Sequence, residues 1–76
     1  MKPTHQQHTD FFAHRPLPGV LFEHNMHVSV IGGAKQGAAG FIISVEELGS
    51  DPVYLVELET GEEAFISQSS LRLPDA

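Results

Sequence analysis

The sequence predicts an all-β domain in which five short strands bend into a small, partly open barrel. From residue 20 onward, apolar and polar residues alternate in short segments, which is the period of half-buried strands. Gly-rich or polar turns separate these segments, and no helical period follows residue 20. Five such strands are too few for an ordinary sandwich, whereas a barrel hides most of their edges.

The N-terminal segment reads differently from the rest of the chain. A length of 76 residues leaves room for one domain, and residues 1–19 mix polar side chains with three prolines. We therefore expect a flexible, loosely ordered N-terminal arm over 1–19 and the barrel domain over 20–76. Adjacent Phe11 and Phe12 are expected to dock on the domain surface, with Thr9 a candidate N-cap for a short helical turn.

The five predicted strands follow in order along the chain. They are HVSVI, FIISVEEL, PVYLVELE, EAFIS and LRL, and the segment SQSS before the last one suits a turn or a single 3₁₀ turn. Gly61 in ETGEE predicts a tight hairpin between the third and fourth strands. In the second strand, alternation places Phe41, Ile43 and Val45 opposite Ile42. The predicted core consists of Val28, Val30, Ile42, Val45, Val56, Leu58, Ile66 and Leu71.

A glycine-rich segment, GGAKQGAAG, separates the first two strands. A phosphate-binding P-loop needs a Lys followed by Ser or Thr and then a helix, whereas here a strand follows. The segment is therefore predicted to be a corner between strands. Gly37 permits a positive φ, Gly40 lets the next strand start where a Cβ would clash, and Lys35 lies at an exposed loop tip as a solvated charge.

The same segment resembles the KOW motif of SH3-like barrels in ribosomal proteins and transcription elongation factors. The resemblance covers roughly residues 22–73. It rests on Val28, Val30, Ile31, Gly33, Lys35, Gly37, Gly40, Ile42 and Val45. It implies an SH3-like barrel fold and a role as an RNA, DNA or ribonucleoprotein accessory that uses Lys35 with Lys2 and Arg15 of the arm.

Charge disfavours nucleic acid as the partner. The net charge is −6 at pH 7, and residues 20–76 carry two basic and nine acidic residues. A phosphate polyanion is repelled at long range by such a surface, whereas a basic protein is attracted. The chain has no cysteine, its apolar runs are too short to span a bilayer, and its N-terminus lacks the apolar core of a secretion signal. We expect a cytoplasmic protein without a membrane partner.

Candidate catalytic and metal-ligating residues lack the required patterns. Five histidines occur, but His24 and His27 are three apart at a strand start, where their side chains point to opposite faces. Ser67, Ser69 and Ser70 fit turn roles better than a nucleophile, since no GxSxG elbow is present. We predict no enzyme activity, no cofactor and no metal.

The favoured function is therefore a small non-catalytic module that binds a protein partner through an acidic and aromatic barrel surface. Its oligomeric state stays open. An acidic inhibitor of a basic enzyme, of the immunity type, is a further alternative beside the KOW-like accessory. The candidate contact residues are Lys35, Phe41, Tyr54, Glu57, Glu59, Glu62, Glu63 and Phe65.

Overall fold

The computed structural model describes residues 1–74 and consists of one antiparallel sheet with one short α-helix. The elements are α1 (His5–Phe12), β1 (His27–Val30), β2 (Ala39–Glu47), β3 (Val53–Leu58), β4 (Glu63–Ser67), the 3₁₀ turn η1 (Gln68–Ser70) and β5 (Leu71–Arg72). The strand order is β4-β3-β2-β1-β5. Over the described residues β4 and β5 are the two edges and do not pair with each other, so the all-β fold is confirmed but the sheet is open.

The five strands lie where the alternation places them, because each has one face that must be buried. All eight residues of the predicted core are buried. Tight turns complete the strand connections as expected, with φ of +92° at Gly61 and +95° at Gly37. No helix within residues 1–74 has the length and apolar character needed to cross a bilayer.

The register of β2 departs from simple alternation. Its pairing with β3 shifts between Ile42 and Ser44 and again between Val45 and Glu47. A bulge places an extra residue in one strand and changes the face of the residues that follow. Val45 is therefore buried while Phe41 is 46% exposed, and the expectation that these two side chains share a face is wrong.

Gly40 of β2 lies close to the backbone of β3, opposite Leu58. A Cβ built on Gly40 would collide with the carbonyl group of Glu57 and lie 2.9 Å from the Cα of Leu58. These are backbone atoms of a paired strand, so they cannot move aside as a flexible side chain does. The predicted clash at this position is confirmed.

The N-terminal segment is more ordered than a loose arm. Thr4 caps α1: its hydroxyl accepts a hydrogen bond from the Gln7 amide (3.1 Å), and the Gln7 side chain accepts one from the Thr4 amide (2.8 Å). This reciprocal capping box satisfies amides that a helix start leaves unpaired, so the N-cap is Thr4 and the expectation of Thr9 as the N-cap is wrong.

Helix α1 contributes one aromatic side chain to the core. Phe11 is 3% exposed and its ring lies 6.4 Å from that of Tyr54, while Phe12 beside it is 46% exposed. Phe22 also packs on Tyr54, at 5.6 Å. The docking expected for the two phenylalanines thus holds for Phe11, and the core extends into a segment that we expected to be loosely ordered.

Candidate protein-interaction surface

The glycine-rich segment forms the corner that the sequence predicts. The Val30 amide donates to the Ala38 carbonyl and the Gly37 amide donates to the Val30 carbonyl, both at 2.9 Å. Strand β2 follows two residues after Gly37. These two amides are therefore used in closing the β1–β2 connection, which is the structural role argued from the glycine spacing.

Lys35 is held in an ion pair. Its Nζ lies 2.8 and 2.9 Å from the two carboxylate oxygens of Glu62, in the turn before β4. The contact joins the β1–β2 loop to the β3–β4 hairpin. The expected solvated charge is thus paired with an acid 27 residues further along the chain.

Most of the remaining candidate residues meet on the outer face of the sheet. Phe41 of β2 lies opposite Glu57 of β3, which lies opposite Glu63 of β4. In the next row Leu55 lies opposite Phe65, whose side chain is 69% exposed. We call Phe41, Leu55, Glu57, Glu63 and Phe65 the outer patch.

A histidine and a further acid border the outer patch. The His27 ring lies 4.9 Å from that of Phe41, and its Nε2 is 3.1 Å from a carboxylate oxygen of Glu59. Glu57 and Glu63 oppose each other directly across the strands, an arrangement in which two negative charges destabilise the pairing. The outer patch therefore combines exposed aromatic rings with acids that favour a cation nearby.

Tyr54 does not belong to this surface. It is fully buried on the inner face of β3, so its expected place among the exposed contact residues is wrong. Tyr54 alternates along β3 with Val56 and Leu58, which both belong to the predicted core, and this pattern is the signal of its burial.

Burial gives Tyr54 a structural role. Its hydroxyl donates to the Gln68 side-chain carbonyl, which also accepts from the Leu21 amide at 3.0 Å. The Gln68 amide group donates to the Gly19 carbonyl at 3.1 Å. Desolvation raises the pKa of Tyr54, because the apolar core disfavours the phenolate. Gln68 thus ties the segment before β1 to the core.

Other acids are distributed around the molecule. Glu47 binds the N-terminal ammonium (3.1 Å) and Lys2 (2.8 Å), and the Lys2 hydrogen bond lowers the pKa of Glu47. Asp51 accepts hydrogen bonds from the amide and hydroxyl of Ser69. These acids hold chain segments together near the start of β3, at the end of the strand opposite to the turn that contains Glu62.

The histidines and acids of residues 1–74 include no group of three or more placed to hold a metal ion. His24 contacts the Ile43 carbonyl through Nδ1 at 2.8 Å, which uses one ring nitrogen in packing the loop against β2.

An open groove runs beside β4, which the sequence did not indicate. Its volume is about 310 Å³. One side is β4 from Ala64 to Ser67, and the other is the glycine corner from Gly32 to Lys35, with Val30 and Ser70 completing the lining. The signal was absent from the sequence because the groove depends on how far the sheet closes.

Comparison of the chain with models of protein families, with curated proteins and with solved structures found no match.

Proposed function

We propose that the chain is a small non-catalytic interaction module that binds a basic segment of a protein partner through the outer patch. The observation that carries the proposal is the exposure of Phe41 and Phe65 on one face beside the opposed acids Glu57 and Glu63. Aromatic rings supply contact area, and acids steer a basic partner at elevated association rates.

A protein partner is favoured over RNA or DNA by the pairing of the basic residues. Lys35 is bound to Glu62, and Lys2 to Glu47, so the cations that the KOW resemblance would use are engaged by carboxylates. An anionic strand would have to break these pairs and approach a chain of net charge −6. A basic peptide meets no such cost.

The proposal includes an SH3-like arrangement of the sheet. The strand order β4-β3-β2-β1-β5, with a 3₁₀ turn between β4 and β5, supports it. The absence of cysteine from the chain supports the cytoplasm as the compartment.

Two probes of opposite charge test the proposal. The full chain is titrated with a lysine-rich peptide and with a single-stranded RNA, at low and at high salt. We expect the peptide to bind, and we expect its affinity to fall at high salt, because screening reduces the attraction between exposed charges. Glu63→Gln should weaken peptide binding at low salt by roughly two- to fivefold.

Glu23→Gln is the matched control. This substitution also removes one negative charge from an exposed side chain, but Glu23 lies outside the outer patch. Equal effects of the two substitutions would mean that net charge alone attracts the peptide, which contradicts the proposed surface. RNA binding that is lost in Lys35→Glu would favour the nucleic-acid alternative instead.

A further inference from the structure

The outer edge of β4 carries backbone groups that do not pair with β3. The Leu58 amide donates to the Glu62 carbonyl and the Gln68 amide to the Pro52 carbonyl, both at 2.7 Å. In an antiparallel ladder, opposed residues alternate between hydrogen-bonded and non-bonded pairs. The pairs Glu57–Glu63, Leu55–Phe65 and Val53–Ser67 therefore belong to the second kind, and the amides of Phe65 and Ser67 point away from β3.

No further strand occupies this edge within residues 1–74, where β4 is the last strand of the sheet. The groove described above lies along it. The lining includes the apolar side chains of Val30, Ala64 and Ile66, and across from β4 it is bounded by Gly32 and Gly33, which present backbone without side chains. The site thus combines a row of backbone donors and acceptors with an apolar wall.

Charge determines which extended segment fits this edge. Glu63 lies on β4, the Glu62 carboxylate directly before it is paired with Lys35, and the whole chain carries −6. A second copy carries the same net charge of −6, so it is repelled by this chain, and a charged residue on an edge strand is a means by which natural proteins block pairing between edges. A strand that alternates basic and apolar residues instead places its cations beside Glu63 on the outer face and its apolar side chains in the groove.

We infer that β4 binds an extended basic segment of a partner protein as an added sixth strand, with alternate apolar side chains seated in the groove between β4 and Gly32–Lys35. The inference rests on the proposed function and specifies how the partner is held. Main-chain hydrogen bonds to the outer edge supply affinity, and the two faces of the added strand supply specificity.

Synthetic peptides test the added strand. The probe is a short peptide of alternating lysine and valine, and a peptide of the same composition with lysines and valines in two blocks is the control. Two further versions carry N-methyl groups on every valine amide or on every lysine amide. In an added strand, either the valine amides or the lysine amides face β4, but not both. We therefore expect one of the two N-methylated peptides to bind roughly tenfold more weakly, because it loses about two hydrogen bonds to β4. The other N-methylated peptide should keep the affinity of the unmodified peptide.

A proline at the edge provides the matching change in the protein. Ser67 has φ of −70°, which proline adopts without strain, and its amide faces away from β3. Ser67→Pro should weaken the alternating peptide roughly tenfold, whereas Ser67→Ala should leave its affinity unchanged. The peptide series uses the natural chain, so it decides the matter even if Ser67→Pro is unstable.

The outcomes separate the two proposals. If no lysine-containing peptide binds, the proposed function is wrong and this inference with it. The added strand is wrong if the blocked peptide and both N-methylated peptides bind the natural chain as tightly as the alternating peptide does, and if Ser67→Pro binds the alternating peptide as tightly as the natural chain does. The outer patch would then be the binding surface. A dimer of the chain that pairs through the free edge of β4 and that the peptide does not dissociate would also overturn the proposed strand addition.

Discussion

Tyr54 connects the core to a measurable pH dependence. Its pKa is raised above the ordinary 10.0 chiefly by desolvation. As pH rises past 10.0, the unfolded chain loses the phenolic proton first, so the free energy of unfolding decreases until the higher folded pKa is passed. Below that window the tyrosine is protonated in both states, and its stabilising contribution is fully present.

Tyr54 is the one tyrosine of a chain without tryptophan, so tyrosinate absorbance reports on it alone. We expect its titration midpoint to lie above 10.0 in the folded protein and to return to about the ordinary value in concentrated urea. Tyr54→Phe should weaken the loss of stability at alkaline pH. Identical midpoints with and without urea would contradict the burial described here.

Gly40 is required by the spacing of two backbones. Gly40→Ala forces β2 away from the carbonyl group of Glu57, and we expect the free energy of unfolding to fall by about 2–3 kcal/mol, as for other overpacked sites. Gly32→Ala is the control, because a Cβ there would meet the Ser70 hydroxyl oxygen at 3.4 Å, and that side chain can rotate. Urea unfolding of both variants measures the difference, and equal stability of the two would contradict the close approach.

Helix α1 is attached to the sheet through one of two adjacent rings. Phe11 is buried against Tyr54 and Phe12 is about half exposed, so the pair offers a matched comparison. We expect Phe11→Ala to lower the free energy of unfolding by about 3 kcal/mol, the range of buried aromatic truncations. Phe12→Ala should cost less than about 1 kcal/mol. Thermal unfolding measures the difference. If both substitutions lower the stability by the same small amount, the N-terminal segment is the loose arm expected from the sequence.

The strands were predictable and the docking of the N-terminal helix was not, for a physical reason. Alternation such as that of Val28 and Val30 records burial on one face, which a strand sequence carries locally. Helix α1 has eight residues, and its burial depends on Phe11 meeting Tyr54, a contact 43 positions away in the chain. Such a contact leaves no local period.

The candidate surface was partly predictable for the same reason. Glu63 and Phe65 alternate with the half-buried Ala64 and the buried Ile66, and they were correctly placed on the exposed face. The partner of Lys35 could not be derived, because the ion pair with Glu62 depends on how the β1–β2 loop folds over the hairpin. The groove beside β4 likewise depends on the curvature of the sheet, which the bulges of β2 influence.

The molecule as a whole combines an open sheet with an acidic edge. An exposed strand edge invites pairing between copies, and a charge on that strand is a common means of preventing it. Glu63 lies on β4, and the chain carries −6 at pH 7. We therefore expect the acidity of the chain to have two consequences: it should keep copies of the chain apart, and it should leave the edge open to a segment of opposite charge.

Removing that charge should let the chain associate with itself. We expect the natural chain to be monomeric at pH 7 and low salt, and Glu63→Val to form dimers or larger species, because valine favours strand pairing and no longer repels a second copy. Sedimentation velocity across a range of concentrations measures the change.

A double variant identifies the surface through which the copies associate. If copies pair through β4, adding Ser67→Pro to Glu63→Val should abolish the association. Association that persists in the double variant would instead be assigned to the exposed rings of the outer patch. A natural chain that is already dimeric at pH 7 would show that the acidic edge does not prevent self-pairing.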